Sequence, residues 1–143
     1  DGGGLPTARV LSVDLLPKPA AFPAFGPAPK AYRIRRLRSL NAQPAVLEEI
    51  WLDGDQAAQL STSELSHSLY LYYRNVLKLW ITEAEDQLGL EPVPQWAPDG
   101  FEPTPGTPCL FAARLSRSQT GETVEYSQNW IDTNVARYVA RIK

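Results

Sequence analysis

The 143-residue chain is poor in the residue types that metal and nucleophile chemistry draws on: it holds one cysteine, Cys109, and one histidine, His67. A lone thiol excludes an internal disulfide framework. One Cys with one His furnishes neither a metal cluster nor any spare candidate for a nucleophile pair. Cys109 stands in an apolar run and reads as a small core hydrophobe; His67, between serines at a helix start, reads as structural or merely exposed. No apolar run approaches the ~18 residues of a membrane span, and no charged-then-apolar leader opens the chain, so no membrane is expected and the cytoplasm is the default compartment. Charge of either sign is scarce in excess: 14 Lys plus Arg against 16 Asp plus Glu leave a net −2. The densest basic cluster, Arg33 to Arg38, falls short of the broad positive face that gripping DNA alone requires. Gly2-Gly3-Gly4 has no strand before it and no Lys-Ser/Thr after it, which excludes a nucleotide loop. Catalytic residues, metal ligands and cofactors are therefore not assigned, and no enzyme is read from these residues.

What is present is enough for one core. The length suits a single domain of about 100 to 150 residues, and 43% of it is apolar. The opening Asp1 to Gly4, which lacks a Met, reads as a flexible start or linker with an upstream part removed, leaving residues 5–143 as the domain.

Period-two patterning predicts strands over Ala8–Leu16, Tyr32–Leu40, Ala45–Leu52, Pro108–Arg117, Thr123–Ile131 and Val135–Ile142, with another over Trp80–Gln87. In the first, Val10, Ser12 and Asp14 fall on one side and Leu11, Val13 and Leu15 on the other. Asn41 to Pro44 reads as a four-residue turn, so the second and third strands form an antiparallel pair that sets Arg36 or Arg38 opposite Glu48. Leu69, Tyr72, Tyr73, Val76, Leu77 and Trp80 recur at helical spacing and predict a helix over Ser68–Leu79. Ser61-Thr62-Ser63-Glu64 has capping-box spacing, and Ser68 is a second N-cap candidate. Pro17 to Pro29 reads as a connection with a distorted turn around Phe22 to Phe25. Leu88 to Pro108 reads as a break with a short helix near Gln95 to Phe101. About six mainly antiparallel strands with a few short helices make an α+β domain.

Polar residues on the strand faces carry the functional signal. Arg36 and Arg38 share one face, Arg114 interrupts an apolar strand, and Glu125, Ser127 and Asn129 share another face. Charges there must pair, snorkel or line a wet cavity. Arginine forks suit a phosphate or carboxylate, and glutamates accept from ligand hydroxyls, amides or amines. A solvated sheet face with ordinary ion pairs fits the same pattern. Trp51, Trp80, Trp96 and Trp130 admit a sugar- or aromatic-binding reading, yet core or dimer packing fits at least two of them.

Several runs together resemble a known family. Ile34-Arg35-Arg36-Leu37-Arg38 followed by Pro44-Ala45-Val46-Leu47-Glu48 is similar to the R-L-R and P-x-x-x-E signature of the UTRA domain, the effector-binding module of HutC-type GntR transcription regulators. Ser68-Leu69-Tyr70 looks like the family's S-L-Y helix start, Gly106 to Leu110 like its G-x-P-x-L strand entry, Arg114 like the arginine after it, and Gly121 to Ser127 like its G-x-x-V-E-x-S hairpin. The resemblance implies a chorismate lyase-like fold with a pocket against the sheet, homodimerisation, and a preceding winged helix-turn-helix domain through which alone DNA is bound. It further implies that Arg36 and Arg38 hold the anionic end of a carboxylate, amino acid or sugar phosphate. Glu48 and Glu125 would accept hydrogen bonds from its body, beside Ser127, Arg114 and Tyr138. Residues around Ser68 and Tyr70 would add donors for the anion. Where many members carry R-G-D-R-Y-R-F, this chain has Asp132-Thr133-Asn134-Val135-Ala136-Arg137-Tyr138. The lost positive charge and aromatic bulk open the way to a carboxylate or less charged ligand, and Trp130 just before this segment is a candidate to alter the pocket. The same fold supports a lyase, so a small enzyme is one rival reading and a purely structural dimerisation domain is another.

Overall fold

A computed structural model describes residues 6–65 and 68–141. His67, the Asp1 to Gly4 opening and the last two residues lie outside these. Among the described residues six strands form one antiparallel sheet: β1 (Thr7–Pro17), β2 (Lys30–Leu40), β3 (Gln43–Asp53), β4 (Ile81–Pro92), β5 (Pro108–Ser118) and β6 (Thr123–Ile131), ordered β1-β2-β3-β6-β5-β4. Between β3 and β4 the chain forms two short 3-10 turns and then a helix, α1 (Leu69–Tyr72), that widens into a π turn over Tyr73–Leu77. The expected α+β architecture with about six antiparallel strands is the observed one.

The β2–β3 connection is tighter than the expected four-residue turn. Asn41 and Ala42 both take left-handed φ, +52° and +64°, the conformation that matches a two-residue hairpin to strand twist. Gln43 and Pro44 consequently belong to β3. Pro44 is tolerated there because the β6 ladder begins only at Val46, beyond its missing N–H.

The two faces of the sheet are covered differently. On one, Tyr32, Ile34, Ile50 and Leu52 pack against Leu65, Leu69, Tyr72 and Tyr73 of the β3–β4 connection. On the other, the β4–β5 connection brings Val93, Trp96 and Phe101 against Leu37, Leu47 and Trp130, and the β1–β2 connection seats Phe22 and Phe25 on Trp51 and Tyr126. Each fully buried Leu, Ile or Phe in these clusters contributes about 1.5 to 3 kcal/mol from its removal from water. Cys109 is buried in the second cluster, as its apolar run implies.

Five local expectations are corrected. A bulge between Val10 and Ser12 shifts the phase of β1, so Val10 and Val13 both join the helix-side cluster instead of facing opposite ways. The helix ends at Leu77: Lys78 turns left-handed at φ +56°, and the π turn slips the helical phase, leaving Val76 and Trp80 exposed. β4 continues through Leu88-Gly89 to Pro92 because Gly89 pairs with Phe111 in an unbroken ladder, while the helix near Gln95 to Phe101 is only two isolated turns, Pro94 to Ala97 and Pro98 to Phe101. Residues 132–141 form no strand. The β-prone Val135 to Arg141 run follows β6, whose two edges are already taken by β3 and β5, and the chain turns at once, with the Val135 and Ala136 N–H groups both donating to the Asp132 carbonyl.

Candidate functional site

The helix covers only half of its face of the sheet. Beyond Ile34 and Ile50 the inward positions turn polar, and there a cavity of about 500 Å³ opens between the sheet and the start of α1. That volume falls in the range of small-molecule sites. All nine residues singled out in the sequence line it, supplied by β2, β3, α1, β5, β6 and the chain after β6.

Antiparallel register accounts for the first group. Arg36 pairs directly with Glu48 across β2 and β3, and its Nε donates to Glu48 Oε1 at 2.9 Å. Nη1 donates to the Leu65 carbonyl at 2.8 Å. Both side chains are buried, at 7% exposure each, whereas Arg38 keeps 45% and reaches Glu48 Oε2 at 3.3 Å. One carboxylate thus serves two guanidiniums, which satisfies a buried charge that would otherwise be costly.

A second group sits under the helix. Glu125 is buried and accepts from Ser116 Oγ at 2.9 Å and from the Tyr73 hydroxyl. Because Ser116 spends its proton on Glu125, the Tyr70 hydroxyl is the donor in its 3.4 Å contact with Ser116. Burial raises the Glu125 carboxyl above the ordinary carboxylate range, opposed by the hydroxyls of Tyr73 and Ser116 and by the charge of Arg114. Burial likewise raises Tyr70, with Glu125 adding to it. Ser127 is buried and receives a 3.1 Å bond from Asn129 Nδ2, which also donates to the Ala112 carbonyl. Ser68 caps α1 by accepting from Leu71 N–H at 3.3 Å, so its oxygen serves the helix; the capping-box spacing at Ser61 yields only a short turn with no side-chain cap.

The third group joins β5 to the chain's end. Arg114 Nε and Nη2 bind Asp86 of β4 in a two-pronged pair, 2.6 and 2.9 Å, and the Tyr138 hydroxyl donates to Asp86 Oδ2 at 2.7 Å. The Arg114 hydrogen bonds hold Asp86 below its ordinary value. Asp86 and Asn129 also line the cavity. Asp86 escaped the sequence reading, although the alternation that places Thr82 and Ala84 on one side of the strand continues to it.

The tryptophans play no part in this cavity. Trp51 and Trp130 are buried on the opposite face, with Trp96 edge-on to Trp130 at 5.8 Å, and Trp80 is exposed. Trp130 therefore does not reshape the pocket: its Nε1 donates to the Pro92 carbonyl behind the sheet.

A UTRA domain model matches residues 1–137. The HTH-type transcriptional regulator SmoD of Agrobacterium fabrum is 50% identical over all 143 residues, which span 61% of that relative. Two solved structures share the fold. The first is YydK from Bacillus subtilis, described as a possible transcriptional regulator, with TM-score 0.83, 21% identity, and coverage of 96% of this chain and 62% of that one. The second is the ligand-binding domain of a GntR-family transcriptional regulator from Bordetella bronchiseptica, with TM-score 0.82, 21% identity, and coverage of 98% and 92%. With the chorismate lyase-like α+β fold and a family match along nearly its whole length, the chain belongs to the UTRA domain family.

Proposed function

We propose that this domain senses a small anionic metabolite for a HutC-type GntR regulator in the cytoplasm, and that it binds a ligand without turning it over. The observation that carries the reading is the convergence of Arg36, Arg38, Arg114, Glu48, Glu125 and Ser127 on one cavity. It supplies donors for an anionic group and acceptors for a polar body. Arg38 is the guanidinium for the anion, since Arg36 is buried in its pair with Glu48. Ser68, Tyr70 and Tyr138 form the rim.

The wall also includes Pro6, Thr7 and Ala8 at the start of β1. A ligand there touches the segment by which the domain would join an upstream winged helix-turn-helix domain. In this reading DNA is contacted only through that upstream domain. Homodimerisation is supported by β4, an edge strand that exposes Leu88 at 52% and Leu90 at 71%. A ligand that binds two dimer arrangements unequally would change the spacing of the DNA-reading heads.

A thermal-shift screen of phosphorylated sugars, amino acids and aromatic carboxylates tests the reading. A true effector at a hundredfold excess over its Kd stabilises by about 2.7 kcal/mol, a shift of several degrees. Arg38→Ala should abolish the shift. Equal shifts in Arg38→Ala and the parent would contradict the assignment.

A further inference from the structure

Among the described residues the charges that line the cavity balance. Among its lining residues three guanidiniums, Arg36, Arg38 and Arg114, face three carboxylates, Glu48, Asp86 and Glu125. A site built to hold a doubly charged anion would leave guanidiniums in excess, because each added negative charge in a partly dry cavity needs a cation of its own. The three arginines differ in how fully they are engaged. Arg36 is buried with Glu48 and the Leu65 carbonyl. Arg114 has two of its donors on Asp86, in the fork geometry a phosphate or carboxylate ligand would itself use. Arg38 is bound to Glu48 by one 3.3 Å contact and is the most exposed.

Asp86 lies apart from the apolar core clusters. It stands on the edge strand β4, and its hydrogen-bond partners Arg114 and Tyr138 are both cavity residues. Resting on the ligand-binding reading above, we propose that Asp86 sets the charge of the ligand. By occupying the Arg114 fork it withdraws one of two anion positions, so that the cavity accepts one singly charged group, at Arg38, with a hydroxyl- or amide-bearing body against Ser127 and Asn129. Doubly charged phosphate groups are disfavoured by the Asp86 carboxylate itself.

The test uses inorganic phosphate and acetate as probes, read by the side-chain Nε–H resonances of Arg38 and Arg114 during titration at about pH 8. In the parent, both anions should perturb Arg38 and leave Arg114 unmoved. In Asp86→Asn, which keeps the size and a hydrogen-bonding oxygen, phosphate should perturb Arg114 and bind about tenfold or more tightly than in the parent, from removal of one close like charge. Acetate should gain less. Asp86→Asn/Arg114→Gln should return phosphate to the parent affinity. Asp86→Ala, folded as judged by circular dichroism, should behave like Asp86→Asn. Movement of Arg114 in the parent, or phosphate affinity unchanged or undetectable in both Asp86 variants, would overturn the role of Asp86. The ligand-binding reading fails separately, if a metabolite found by screening binds away from this cavity.

Discussion

Arg36 and Glu48 face one another directly across β2 and β3 and are both almost wholly buried, so the site's geometry is anchored by an ion pair inside the sheet. Glu48→Ala should destabilise the domain by about 3 to 5 kcal/mol, because it strands a buried guanidinium. The double change Arg36→Met/Glu48→Leu should cost far less. Urea melts of the parent and the two variants check this; equal losses in the single and double variants would show that the pair is not what holds this region.

Glu125 gives the domain a pH signature. Burial raises its carboxyl, and a carboxyl raised in the folded state stabilises the fold below its unfolded value and loses that contribution as pH rises through the folded value. Glu125→Gln cannot titrate, so parent stability relative to Glu125→Gln should fall as pH rises through the window that opens at the ordinary carboxylate range. Asp86 is shifted the other way, and its contribution is lost only as pH falls below the ordinary carboxylate range. A difference that stays flat or rises across the window would exclude this role for Glu125.

Two glycines with left-handed φ should respond unequally to the same change. Gly26, at φ +64°, leaves no room for a methyl: an added Cβ would overlap the carboxylate of fully buried Asp53, which binds Lys18 and the Ala28 N–H. Gly26→Ala should cost more than about 3 kcal/mol, from overpacking together with the φ penalty. Gly121, at φ +85°, meets open space, so Gly121→Ala should cost about 1 to 2 kcal/mol. Thermal melts that rank them equally would contradict the packing described at Asp53.

The Tyr138 hydroxyl ties an otherwise irregular segment to the sheet edge. Tyr138→Phe should change global stability by no more than about 0.5 kcal/mol, since the contact is exposed. It should speed amide exchange across 132–141 and weaken ligand binding. Exchange unchanged from the parent would show that Asp86 does not hold the segment down.

Much of this was legible because period-two patterning is strong where a strand is paired on both sides. β2, β3, β5 and β6 met their expected spans within a few residues, and Arg36, one of the two arginines expected opposite Glu48, is the one that pairs with it. The failures have local causes. A bulge in β1 leaves no mark in hydrophobic alternation, and a π turn after Tyr72 looks identical in sequence to more helix. Val135 to Ile142 has strand propensity, but propensity does not say whether a run will pair its backbone with a sheet edge. Asp86 was missed because its partner is far away in sequence, and only the pairing of β4 with β5 brings Arg114 beside it. The nine residues expected at a site do line one cavity; their assignment to an effector is the proposal that experiment has to decide.

Hydrogen–deuterium exchange on the domain, with and without a ligand identified by thermal shift, tests that claim most directly. The account predicts protection at the Arg36–Arg38 and Val46–Ile50 segments, at the start of α1, and across residues 132–141. Protection confined to the opposite face, where Phe22, Tyr126 and Glu85 line a second hollow, would contradict it.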